Sequence, residues 1–405
     1  MMTRIAAGSG STFARIALLF MLGGLLQACS VVDWVKGIGS GSSSEEKEAL
    51  KPAPLVDFSA ETELYKVWSA GVGNGQGKEY NRLQVALDGT TIFAASADGT
   101  VAAFDAATGK RRWRIDVDAG LSGGVGVGGD LVLAGDTAGN VIALESASGH
   151  ELWRARVSSE VLAAPAADWD VVVVHTLDGN INGFDARTGA RRWTHDTSMP
   201  LLTLRGTSAP VLDDGVAYVG LASGRIIAIK ADVGTVLWEA RVATPQGQSE
   251  IERAIDIDGR LALVGKGVYA VTYQGKVGGL DTANGRPLWA RDASSFSGVG
   301  AGFGNIYVSE TSGTVSAYEA AGGALRWQND QFARRSPGTP VAVGSYVAVA
   351  DFDGYVHLLS QVDGHVVGRV RADSAGVRAD MVAAGDMLYV YGNSGDLKAF
   401  RVGSR

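Results

Sequence analysis

The side chains best suited to chemistry are few and scattered. Five histidines (His150, His175, His195, His357 and His365) fall in different parts of the chain, without the spacing of a metal site. His150 and His365 sit at turn positions and read as solvated. DFDG (351–354) and DIDG (256–259) have the opening of a calcium loop. Twelve places from their starts stand Val362 and Gly267, where an acidic ligand is required. GGVGVGGD (123–130) has the glycines of a phosphate-cradling loop, but no helix pattern comes after it to supply the N-terminal amides. It reads as a glycine-rich inner strand and turn. No catalytic residue, metal site or cofactor site is predicted.

The one cysteine, Cys29, stands in LQACS (26–30), after the apolar run IALLFMLGGLL (16–26), with Arg4 and Arg15 ahead of it. Eleven apolar residues are too few to span a bilayer but suit a secretory signal. LQAC resembles the lipobox of bacterial lipoproteins. That resemblance implies cleavage before Cys29, acylation of Cys29, and, with Ser30 rather than aspartate next, export to the outer membrane. The alternative is an ordinary signal peptide with an incidental cysteine. Either way no internal disulfide forms. The chain from Cys29 on carries 34 basic and 43 acidic residues. That balance argues against nucleic acid as a partner. Residues 29–60, rich in Gly, Ser, Pro and charge over 37–55, read as a flexible tether.

Beyond residue 60 the chain repeats itself. DGTVAAFDAATGKRRW (98–113), AGNVIALESASGHELW (138–153) and DGNINGFDARTGARRW (178–193) are the first of seven copies, and an eighth begins at SGDLKAFRV (394–402). From repeat glycine to tryptophan position is always 14 residues, although the seventh copy has Gly368 there. Within a repeat, short strands such as 131–136, 141–145 and 151–156 alternate with glycine turns, and LAAPAAD (162–168) reads as an inner strand. Four antiparallel strands per unit of about 40 residues make a propeller blade. The expected fold is therefore all-β, an eight-bladed β-propeller over 61–405. The last repeat lacks its outer strand, and ELYKVW (63–68) is the expected replacement, closing the ring. Trp68, Trp113, Trp153, Trp193, Trp238, Trp289 and Trp327 should pack between blades.

The repeat resembles the tryptophan-docking repeat of pyrroloquinoline-quinone enzymes and their non-enzymatic relatives. Enzymes of that class usually have a vicinal cysteine pair, which a single cysteine cannot supply. A periplasmic quinone-dependent dehydrogenase is thus the alternative reading, and a non-enzyme the preferred one.

The repeat breaks in its linkers. Tryptophan to next glycine takes 26, 26, 31, 37, 24 and 27 residues, so the long linkers after Trp193 and Trp238 are consecutive. They belong to one face of a propeller and suit binding. They contain PLLTLRGTSAP (200–210) and EIERAIDID (250–258). With the lipobox, tether and propeller, these segments resemble the BamB family, lipoprotein propellers of the machinery that assembles outer-membrane β-barrel proteins. The resemblance implies a scaffold on the periplasmic face of the outer membrane. Its partner would be the barrel-insertion protein BamA, through its POTRA domains, in the BAM complex, with unfolded barrel proteins as further clients. Carried over by position, the contacts are Leu202, Leu204, Arg205, Asp256 and Asp258. IDIDGRLALVGKG (255–267) departs from the family by lacking a longer polar turn. Exposed leucines with one arginine suit an interface centre. The aspartates could pair with Arg205 or with basic groups of the partner. Whether Leu202 and Leu204 stand out or fold inward is open at this level.

Overall fold

The glycine turn that leads into each outer strand is clearest in blades 1 and 3, where it reads D-x-x-T-G. Asp105 accepts hydrogen bonds from the Thr108 N–H and hydroxyl, and Asp185 does the same for Thr188. The next residue, a glycine such as Gly109 or Gly189, takes positive φ. The chain then reverses into the outer strand. In the computed structural model, which describes residues 51–404 apart from 80, 247 and 250–253, the expected eight blades are all present. The expected signal segment and Cys29 lie outside the described residues.

Every blade is a four-stranded antiparallel sheet, and no helix occurs among the described residues. Blades 1 to 7 begin with inner strands at Val85, Leu121, Ala166, Val211, Ala262, Val299 and Val341. Blade 8 combines three C-terminal strands from Val382 to Ser404 with Thr62–Gly71, which pairs antiparallel with Asp396–Ser404. The expected closure by the leading strand is what the structure shows. The expected inner strand over 162–168 is shorter: only Ala166–Ala167 pair. Pro165 has no N–H to give a ladder.

Each of the seven repeat tryptophans lies on the turn glycine of the following blade. Trp68 packs on Gly109, Trp153 on Gly189 and Trp327 on Gly364. Each indole N–H also donates to a backbone carbonyl there, as Trp68 does to Ala106 and Trp153 to Ala186, both at 2.9 Å. Burying ~150–250 Å² of ring contributes up to roughly 4–6 kcal/mol per blade junction. This accounts for Gly368. The blade after it is the closing blade, whose outer strand comes from the N-terminus, so it has no such turn to receive a ring. Gly368 instead lies against the backbone of Thr62: a Cβ there would be 2.9 Å from the Thr62 carbonyl oxygen.

The folded unit begins at Pro52, inside the expected tether. The Ala53 N–H donates to Ala333 O, and Arg335 and Arg369 donate to Ala53 O and Val56 O. Arg369 also stacks over the Phe58 ring, 4.8 Å from its centre. Beneath this strap Arg335 pairs with buried Asp351, which takes a further hydrogen bond from His357 at 3.0 Å. Arg369 donates to the other His357 nitrogen, so the imidazole is neutral. Burial, with the Arg369 and Arg335 cations, lowers its pKa against the pull of Asp351. The DFDG aspartate thus anchors the strap.

Candidate docking site

Both long linkers join an outer strand to the next inner strand, which puts them on one face. The first leaves blade 3 after His195 and enters blade 4 at Val211. It is loop throughout, as the repeat spacing predicts. Leu201 is 92% exposed and Leu202 44%. Leu204 turns half inward. Ser208 is buried, its carbonyl 3.1 Å from the ring of buried His175. The loop is therefore pinned at its base and apolar at its tip.

The second linker supplies the support. Ile255 and Ile257 are buried, and between them Asp256 is only 1% exposed. One Asp256 oxygen accepts the Leu204 N–H, and the other has no hydrogen-bond partner. Asp258, half-buried, lies under Gly206, where a Cβ would come within 2.8 Å of its carboxyl carbon. Gly206 is thus required by the closeness of the two loops. Burial pushes the Asp256 carboxyl up to about 6, against the lowering effect of the Leu204 N–H. Burial, then the neighbouring Asp256 charge, pushes Asp258 up to about 7, with Arg82 opposing. Two carboxylates with raised pKa values staple one linker to the other. Glu250, Glu252 and Arg253 fall outside the described residues.

The stapled loops overhang a cavity of about 370 Å³ at the propeller axis. Leu204, Arg205, Thr207 and Asp258 line it with Arg82 and Phe296. The Asn81 side chain, almost fully buried at its edge, has an oxygen without a hydrogen-bond partner, and so has Thr207.

Leu202, Leu204, Arg205, Asp256 and Asp258 are therefore gathered at one place, but in different roles. Leu202 faces solvent, Leu204 and Asp258 lie at the cavity, and Asp256 lies beneath. Arg205 does not pair with the aspartates. It donates to Glu160 at 2.7 Å, an acid from the preceding linker. Glu160, Asn81, Arg82 and Phe296 escape sequence reading because they stand in linkers of ordinary length. The axial residues do not fit a calcium-bound quinone. Among the described residues no three acidic, histidine or cysteine side chains converge, and a vicinal cysteine pair is missing from the sequence.

Comparison with known proteins agrees with the resemblance. The pattern of the family described as outer membrane protein assembly factor BamB matches residues 97–329 and 311–403. A protein of that name from Pseudomonas aeruginosa is 56% identical over 89% of this chain and 95% of its own length. Another from Xanthomonas campestris pv. campestris is 37% identical over 96% of this chain and 98% of its own. The crystal structure of BamB from Moraxella catarrhalis superposes with a TM-score of 0.77 at 29% identity, covering 84% of this chain and 99% of that one. A quinohemoprotein alcohol dehydrogenase from Comamonas testosteroni shares the fold at 15% identity, with a TM-score of 0.66 over 84% of this chain and 77% of its own.

Proposed function

The chain belongs to the BamB family of outer membrane protein assembly factors, and we propose that it works there as a non-enzymatic docking scaffold. Its partner is the barrel-insertion protein BamA, held through the periplasmic POTRA domains. Cys29 carries the lipid that holds it to the periplasmic side of the outer membrane, with residues 30–51 as tether. Buried acyl chains contribute about 0.8 kcal/mol per CH₂, so several give a lasting anchor.

The observation that supports this reading most is the stapled pair of linkers. A loop whose base is pinned and whose tip shows Leu201, Leu202 and Arg205 loses little freedom on binding. Arginine is enriched among the anchors at interface centres, and the exposed leucines beside it offer apolar surface to bury on docking. Leu202 and Arg205 make contact, Leu204 and Asp258 shape the cavity edge, and Asp256 acts as a positioning residue through the Leu204 N–H.

The test is recovery of the partner from detergent-solubilised envelope with the tagged full chain. Leu202→Asp/Arg205→Glu should lose BamA while keeping the thermal unfolding of the parent. BamA retained at the parent level by a folded double variant would overturn the assignment.

A further inference from the structure

His357 is fully buried, and both of its ring nitrogens are engaged. The Arg369 Nε–H lies 3.0 Å from Nδ1 and can only donate. Nδ1 therefore carries a lone pair, and Nε2 carries the proton that Asp351 accepts. Phe332 meets the imidazole edge-on at 4.8 Å between centres, and Tyr355, under the Arg371 guanidinium, flanks it at 6.3 Å. Arg335 reaches Asp351, Asp353 and the Ala53 carbonyl from the linker before blade 7. Pro54, Leu55 and Val56 of the strap enclose a small pocket with the imidazole and Arg369. Arg369 thus joins the two layers. It holds His357, donates to the Val56 carbonyl at 3.0 Å and lies over the Phe58 ring. Asp57 is the strap's own charge acting on it.

We propose that this cluster is an acid-operated latch: a second proton on His357 sets Nδ1–H against the Arg369 Nε–H, and Arg369 withdraws, releasing Val56 and Phe58. Burial, with the Arg369 and Arg335 cations, favours the neutral ring while the strap is closed, although Asp351 pulls the other way. An imidazole returned to water regains its ordinary pKa of 6.5. Below that value the open strap binds more protons than the closed one. The closed form keeps its full stability above it and loses stability as pH falls. Asp351 does not share the titration. Against its burial, hydrogen bonds from His357, the Tyr355 N–H and Arg335 hold its carboxyl below the usual range. His365 works in the opposite sense at the far end of the strap. It is exposed and bonds Glu61 and Asp363, which raise its pKa, so acid tightens that contact and confines release to 52–58. Once free, the segment 52–58 joins the lead from Cys29 and adds at most about 25 Å to its reach. The latch does not depend on the docking role of the linkers.

The test is cleavage of the full chain in detergent by proteinase K within residues 55–58, divided at each pH by cleavage of the free peptide PAPLVDFSAE (52–61). When reclosing outpaces cutting, this ratio follows the opening equilibrium. Between pH 7.5 and pH 5 it should rise at least about fivefold, toward the ceiling of about thirtyfold that one imidazole of ordinary pKa allows. His357→Gln cannot titrate, yet its amide can accept from Arg369 and donate to Asp351. It should lose the rise whatever its starting ratio. Arg369→Gln can accept from a protonated Nδ1 as readily as it donates to a neutral one. It should open more at pH 7.5 and show a smaller rise. Thermal unfolding shows that each variant is folded. A parent ratio unmoved by pH overturns the latch, and so does a rise of parental size in either folded variant.

Discussion

The stapled linkers should open more readily as pH rises, and Asp256→Asn should remove a defined part of that dependence. Burial raises the Asp256 carboxyl from 3.8 to about 6 and the Asp258 carboxyl to about 7. When the loops part, each carboxyl returns to water and to its ordinary value. A group whose pKa is raised in the closed form stabilises that form below the open-state value and loses the contribution as pH climbs through the closed-state value. The closed form is thus most favoured below about pH 4. At 1.36 kcal/mol per unit, Asp256 alone costs it about 3 kcal/mol by pH 7, and Asp258 alone about 4. Part of the Asp258 shift comes from the Asp256 charge, so the two figures do not add. The bond from the Leu204 N–H, worth about 1.5–3 kcal/mol to a charged acceptor, opposes opening. Hydrogen exchange of the segment 198–210, corrected for intrinsic rates, measures the opening equilibrium from pH 4 to pH 7.5. The parent should open at least about a hundredfold more at the upper end. Asp256→Asn keeps an acceptor for Leu204 and should retain only the Asp258 share. The double change Asp256→Asn/Asp258→Asn should be flat. A parent loop whose opening ignores pH, or a double variant with the parent slope, would refute the staple.

Restoring the repeat tryptophan at Gly368→Trp should destabilise the ring by about 1–3 kcal/mol, because the site holds the Thr62 backbone. An unchanged Tm would contradict this. Trp153→Ala, by contrast, should cost about 3–5 kcal/mol through a lost docking ring, read as a lower urea midpoint. Arg335→Met leaves Asp351 buried beside His357 without its cation, a loss of about 3–5 kcal/mol in similar pairs. Limited proteolysis should then cut within residues 52–60, and a strap as resistant as the parent's would count against the clamp. Arg205→Ala should leave Tm almost unchanged, since its ion pair with Glu160 is exposed and worth about 0–1 kcal/mol. Recovery of BamA should nonetheless fall about tenfold.

Much of the architecture was legible in the chain because blades are local. The fixed interval from repeat glycine to tryptophan, the glycine turns and the alternation of the strands all act within one unit of about 40 residues. ELYKVW could be assigned to the last blade because the count of outer strands was one short. The two linkers could be placed on one face because those of excess length are consecutive, and the family resemblance pointed to five residues within them. Their roles were not legible. That Asp256 lies beneath the loop while Leu202 lies outside it depends on contacts spanning more than fifty residues. Glu160 reaches Arg205 from another linker. Gly368 reads as a lost tryptophan in the sequence, and only the fold sets the Thr62 backbone beside it. DFDG reads as a failed calcium loop, and in the fold it anchors a strap whose other half lies some three hundred residues away. Repeating local patterns determine a propeller because each blade needs only itself and its neighbours. Burial, and with it the pKa and purpose of a single side chain, is decided only when distant segments of the ring are brought into contact.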